Sequence, residues 1–312
     1  MLMKIALHSL ASRRTTALIT VFSIAVSLFV LLGVGHIRHE ARHSFTQAVS
    51  GVDLIVGPRT GQLNLLLYAV FHLGGATNNI DWHSYETLAK HQDVAWAIPV
   101  SLGDSHRGYP VLGTTADYFR FFRYGQQRPL ELSAGKPFDQ PFEVVLGAEV
   151  ARQLGYRIGD NLILAHGMAA TSFTQHKDSP FQVSGILKST GTPVDRTLHI
   201  NLSDLEAIHA NWQGGTPLPS HQHEKRDHQP VSEPDSVTAV LVGMKNRLTT
   251  FRLQREINNY RNEPLMAILP GVAISELWQM MSWVEKTLGF IALLVLLASL
   301  LGLATMLLST LQ

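Results

Sequence analysis

Histidine is the residue type through which this chain could do chemistry: 15 of its 312 residues are histidine and none is cysteine. Two groups have spacings that suit a metal ion. His36, His39 and His43 fall at i, i+3 and i+7, which puts three imidazoles on one face of a helix. His221, His223 and His228 crowd into "HQHEKRDHQP", a polar stretch next to proline. Neutral imidazole ligates zinc, copper and nickel, so each group is a candidate Zn2+ site. A solvated helix face and a solvated loop that happen to contain histidine account for the same residues.

Other chemistries fail on spacing. "HEKRDH" (residues 223–228) sets its second histidine at i+5, whereas zinc proteases of the His-Glu-x-x-His type need i+4 to bring both rings to one helix face. "SAGKPF" has a Gly-Lys pair but lacks the upstream glycine and the following hydroxyl of a phosphate loop. Any ATP hydrolysis is therefore expected in a separate subunit. The Gly-x-Ser-x-Gly turn of lipases is absent, and a chain without cysteine offers neither a catalytic thiol nor a thiolate ligand. No catalytic residue and no directly bound organic cofactor are expected. A net charge of +1 gives no reason to expect nucleic acid.

The elements that must position the histidines are framed by two oily runs. Hydrophobic residues make up 46% of the chain and charged residues only 16%. Much of that imbalance lies in "TTALITVFSIAVSLFVLLGVG", residues 15–35, and in residues 287–311, which carry no charge. At about 1.5 Å per residue each run is roughly 30–35 Å long, enough to cross the hydrocarbon core of a bilayer. The first is too long for the apolar core of a signal peptide, so it reads as a retained span. Lys4, Arg13 and Arg14 precede it and favour a cytoplasmic N-terminus. Residues 1–14 then form a short amphipathic cytoplasmic segment, and residues 36–286 lie outside.

The external segment reads as mixed α/β, giving an α+β membrane protein. "VDLIVG" is β-like, Asp81 caps a helix over residues 81–91, and "VAWAIPVSL" and "YPVLGTT" are strands. From residue 126 to 236 the runs shorten and turns multiply, with a helix at "LSDLEAIHANW" capped by Ser203. The opening texture returns over residues 237–273. This predicts one lobe (45–125 and 237–273) with a second, β-rich lobe (126–236) inserted. "LNLLLYAVFHLGG" is too short to span, and reads as a core helix or as an exposed patch for lipid or a partner. "ISELWQMMSWVEK" leads into the second oily run without a break, so residues 274–286 form a stalk matched by residues 38–49. Ser23 with Ser27, and Ala298 with Gly302, have the small-xxx-small spacing that lets spans pack closely.

This order of parts resembles the MacB/FtsX-like permeases of ABC transporters. "SGVDLIVGP", "VVLGAEVARQLGYRIGD", "FQVSGILKSTGTPVDRTLHINLSDLEAI" and the second span are similar to segments of that family. "GPRTGQLNLLLYAVFHLGGATNNI" is similar to a subset of it. The resemblance implies Porter-like and Sabre-like external lobes, a location in a bacterial cytoplasmic membrane, a partner ABC ATPase and a second permease subunit, the same or different. Membrane lipid and a periplasmic protein are further expected partners. It also implies that Trp278, Trp283 and Glu285 of the stalk transmit motion between ATPase and external domain. Such permeases have four spans and a coupling helix after the second, which is where this sequence ends. A two-span sensor shares the topology and is the alternative; a membrane-tethered enzyme lacks the residues.

Overall fold

Among the described residues, two long helices carry the oily runs, and eleven strands between them make one sheet. The structure is a computed structural model and describes residues 14–74, 78–167, 179–209, 212–213, 216–217 and 234–308. In chain order come α1 (Arg14–Ala48), β1 (Leu54–Pro58), α2 (Gln62–Phe71), α3 (Trp82–Ala89), β2 (Val94–His106), β3 (Tyr109–Thr114) and α4 (Asp117–Phe121). Next are β4 (Leu132–Gly135), β5 (Glu143–Leu146), α5 (Ala148–Leu154), β6 (Asn161–Leu162), β7 (Ala165–His166) and β8 (Phe181–Leu187). The last are β9 (Leu198–Asn201), α6 (Leu202–His209), β10 (Ala239–Met244), α7 (Thr250–Asn258), β11 (Leu265–Ile268) and α8 (Pro270–Leu308). Contacts divide the chain into two units, one of residues up to His43 with those from Glu276, the other Ser44–Ser275.

In the first unit, large apolar side chains stay exposed: Leu18, Phe22, Phe29 and Leu32 on α1, and Phe290, Leu293 and Leu301 on α8. Among the described residues one helix, over Pro270–Gly302, is long and apolar enough to cross a membrane, and α1 carries the shorter apolar segment Val21–Val30. α8 begins on proline, which suits the first helical turn because its missing N–H has no intrahelical acceptor there. The two helices touch through serine. Ser299 Oγ donates to Val295 O at 2.8 Å, so its oxygen accepts from Ser23 Oγ at 2.7 Å. Ser27 is buried and donates to Ser23 O. The small residues of α1 thus face the contact as their spacing requires, but Ala298 and Gly302 of α8 point away and are exposed. Ser299, not the expected pair, supplies the close approach.

The second unit is built on the sheet, whose order is β11-β1-β10-β2-β3-β9-β5-β8-β4, with β7 added to β2 and β6 to β8. All residues of β1 and β10 are buried, which explains why both read as continuous apolar runs rather than alternating ones. Helix α2 packs its Leu65, Leu66, Tyr68, Ala69, Val70 and Phe71 into the core, so "LNLLLYAVF" is a core helix. It can lie this close to the sheet because Gly57 has no side chain; a methyl there would collide with Leu65. Strands from residues 54–114 and 239–268 form one flank of the sheet, and those from 132–201 form the other. The flanks join where β9 runs parallel to β3, Leu198 opposite Val111 through Asn201 opposite Thr114.

Local capping follows side-chain chemistry. Asp81 accepts from His83 N at 2.9 Å and starts α3. At α6 the cap is Asn201, whose Oδ1 accepts from Ser203 N, so the helix starts one residue before the serine expected to cap it. Helix α6 also holds Asp204, which accepts from Phe142 N at 2.9 Å and fixes Phe142 at φ 58°, a left-handed conformation unusual for a bulky residue. Asp195 organises the loop before β9. Its two oxygens accept from Ser189 Oγ, Thr190 N, Thr190 Oγ1 and Gly191 N at 2.7–3.0 Å, and the residue is buried. Replacing it strands several donors at once. Asp195→Ala should therefore destabilise the chain by about 3 kcal/mol, seen as a lowered thermal midpoint by circular dichroism in detergent. Asp195→Asn should lose less, and an unchanged midpoint in both would show that the loop stands without the carboxylate.

Candidate functional site

His36, His39 and His43 all lie within α1, and His36 is exposed. His221, His223 and His228 lie outside the described residues. Of the stalk residues, Trp278 and Glu285 are half-buried while Trp283 is exposed, with the Lys286 ammonium 5.9 Å from its ring centre.

A different constellation forms in the second unit. Asp104, His166 and His209 bring one ligand atom each to within 4.8 Å of the others. Asp104 sits near the end of β2, just where the pairing with β3 slips between Leu102 and Ser105. That irregularity lets Asp104, Ser105 and His106 all be buried in succession. Strand β7 then pairs with β2, placing Ala165 opposite Ser105 and His166 opposite Asp104. Ser105 Oγ donates to Gly167 O at 2.5 Å, and Gly167 N donates to Gly103 O at 2.9 Å. His209 arrives from the last turn of α6.

The distances within the cluster are short. His166 Nδ1 lies 3.1 Å from Asp104 Oδ1 and 3.1 Å from His209 Nε2, and His209 Nε2 lies 3.3 Å from Asp104 Oδ1. Asp104 is fully buried, whereas the His166 and His209 side chains keep 39% and 25% exposure. Solvent therefore reaches the two rings but not the carboxylate. Burial lowers the pKa of His209, but hydrogen bonding and charge from Asp104 raise it more, and the net shift is upward. The neighbouring His106 is shifted down, mainly by burial. Its Nδ1 donates to Ile163 O at 2.7 Å, which leaves Nε2 to accept from Tyr156 Oη at 3.0 Å.

No spacing rule finds this cluster. Asp104 and His166 are 62 residues apart and His166 and His209 are 43 apart, so only the sheet register and the end of α6 bring them together. The one available signal was the abundance of histidine.

Two further histidines are buried without such a role. His72 follows α2 in a left-handed conformation, φ 54°. Its Nδ1 donates at 2.8 Å to Thr197 Oγ1, which itself donates to Pro193 O. His199 Nδ1 lies 3.3 Å from Val145 O, and its ring packs against Tyr118 and Phe119. Burial pushes His72 down to about 3, with a smaller effect of nearby His199, and burial pushes His199 down to about 4. A cleft of about 750 Å³ opens beside His72, bordered by Tyr109, Glu149, Asp195 and Arg196.

The family described as MacB-like periplasmic core domain matches residues 17–260 of the chain. Among solved structures, the chain is similar to the periplasmic region of MacB from Actinobacillus actinomycetemcomitans, with 10% identity, 74% of this chain and 94% of that chain covered, and a TM-score of 0.45. It is also similar to the extracellular domain of the noncanonic ABC-type transporter YknZ from Gram-positive bacteria, with 11% identity, 70% and 98% covered, and a TM-score of 0.39. No curated protein matches the chain.

The buried neutral rings make stability depend on pH with a definite sign. Both folded-state values lie below the ordinary 6.5, so between about pH 6.5 and 4 the unfolded chain binds protons that the folded chain refuses. Their contribution is complete above about 6.5 and is lost as the pH falls, by up to about 1.4 kcal/mol per pH unit for each ring. The thermal midpoint should therefore fall less between about pH 7 and pH 5 in His199→Asn than in the unsubstituted chain. Parallel curves would show that His199 is not held neutral.

Proposed function

Because the chain belongs to the MacB-like periplasmic core domain family, we propose that it works as part of an ABC transporter permease, turning ATP hydrolysis by a partner ATPase into movement of its external domain. The observation that carries this reading is the family match, which runs from within the first oily stretch to beyond α7. In this reading α1 and α8 are the spans, in a bacterial cytoplasmic membrane, with Ser44–Ser275 on the outer side. Their exposed leucine, phenylalanine and isoleucine side chains suit lipid, and the serine contact between them is polar glue of a kind that works in a bilayer.

The proposed mechanism is mechanical. α1 has 35 residues and α8 has 39, so at about 1.5 Å per residue each exceeds the ~30 Å hydrocarbon core by some 20 Å or more. The excess supplies the stalks, with Trp278, Trp283 and Glu285 on that of α8. ATP-driven closure of the ATPases would shift the spans, and the stalks would pass the shift to β1 and β11. The chain itself has no phosphate loop, so hydrolysis belongs to the partner; a second permease subunit would complete the assembly and a periplasmic protein would receive the motion. The chemistry at Asp104, His166 and His209 is not needed for any of these steps.

The absence of cysteine makes this testable without background labelling. Gln140 is exposed in the second unit, so Gln140→Cys should react with an impermeant maleimide in intact spheroplasts while Ser12→Cys should not. The double variant Ser23→Cys/Ser299→Cys should form a disulfide on oxidation, and its yield should change several-fold when ATP and the partner ATPase are supplied in proteoliposomes. A yield indifferent to ATP in a complex that hydrolyses it would sink the mechanical reading, and reversed labelling would sink the topology.

A further inference from the structure

We propose that Asp104, His166 and His209 form a binding site for a first-row divalent cation, with zinc(II) the ion that the donor set and spacing fit best. The three inward atoms, Asp104 Oδ1, His166 Nδ1 and His209 Nε2, stand 3.1, 3.1 and 3.3 Å apart. A tetrahedral zinc with ligands at about 2.0–2.1 Å has ligand–ligand edges of about 3.3 Å. The triangle already has nearly the dimensions of one face of that tetrahedron.

The tautomer of His209 supports the same conclusion independently. Its Nδ1 lies 2.9 Å from Leu205 O, which can only accept, so Nδ1 carries the proton. In the neutral ring the lone pair on Nε2 is then aimed at a carboxylate oxygen and at another imidazole nitrogen. A backbone carbonyl that fixes the outer nitrogen of a ligating histidine is the usual support of a metal ligand. The hydrogen-bonded alternatives are a His166 Nδ1–H that donates to Asp104 Oδ1 or to His209 Nε2, and a doubly protonated His209 that donates to Asp104. A cation engages all three atoms together. Two nitrogens and one oxygen suit zinc, and they select against calcium and magnesium, which prefer oxygen ligands. Exposure of the two rings gives the ion a route from solvent. Its residues are none of those at 36–43 or 221–228, and they come from β2, β7 and α6 rather than from one helix face or one loop.

The test uses the full chain purified in detergent, in a His221→Ala/His223→Ala/His228→Ala background, with zinc titrated against a chromophoric chelator at neutral pH. One zinc per chain should bind in that background, and adding His166→Ala or His209→Ala should weaken it by about tenfold or more. X-ray absorption of the zinc-loaded background protein should show two imidazoles, at about 2.0–2.1 Å. His166→Gln, at the more exposed ring, guards against misfolding, since circular dichroism should stay unchanged while zinc affinity falls. Zinc should raise the thermal midpoint of the background protein and not that of His166→Gln. If the background protein binds no zinc, or binds it equally well with His166 and His209 replaced, the assignment is overturned. Neither result bears on the transporter reading, which predicts ATP-dependent crosslinking whether or not a metal is bound.

Discussion

Four pairings, Ile55 with Ile268 through Pro58 with Leu265, tie the first strand of the sheet to the last. Because β1 and β11 are antiparallel, the chain that arrives from α1 and the chain that departs into α8 leave this ladder at the same end. β1 is also held on its other side by β10, from Leu54 opposite Val242 to Val56 opposite Val240. Its backbone groups are therefore committed to two partners, and its side chains are all buried. A strand fixed in this way cannot slide without breaking both ladders and drawing a flanking charge, Asp53 or Arg59, toward the core. The ladder that holds β1 and β11 is also where the chain leads in from α1 and out into α8.

Much of this organisation is legible in the sequence because it depends on local pattern. "VDLIVG", "TAVLVGM" and "LMAIL" are continuous apolar runs bounded by turn residues, and all became strands of the buried flank. Asp81 announced α3 because an N-cap is a contact between residues two apart. The same logic misplaced the cap of α6. Asn201 and Ser203 are both good caps, and the choice of Asn201 follows from where β9 ends, which the pairing with β3 determines. The two α8 residues picked for close packing failed for a related reason. Spacing identifies a stripe on a helix but not the direction it faces, and here Ser299 took the contact.

The candidate site lay beyond local reading. Spacing rules find ligands that share a helix or a loop, and they pointed to His36, His39 and His43 and to His221, His223 and His228. Asp104, His166 and His209 come from two strands and a helix end, and their meeting depends on β7 returning to β2 across a stretch of chain that pairs elsewhere. The slip in pairing after Leu102 is equally non-local, yet it is what buries Asp104. A sequence can show that histidine is abundant; only the register shows which histidines converge.

That return of β7 also fastens the two flanks of the sheet to each other. β9 joins the two flanks through four parallel pairings with β3, and parallel ladders are somewhat weaker per residue than antiparallel ones. Taken alone, this seam would be the natural hinge between residues 54–114 and 132–201. β7 belongs to the second segment by sequence but pairs with β2 of the first, and the hydrogen bonds of Ser105 and Gly167 reinforce it. Opening the seam would therefore break two ladders and separate His166 and His209 from Asp104. The flanks are fastened against such opening. An ion held by the cluster would add a third fastening at the same joint and stiffen it further.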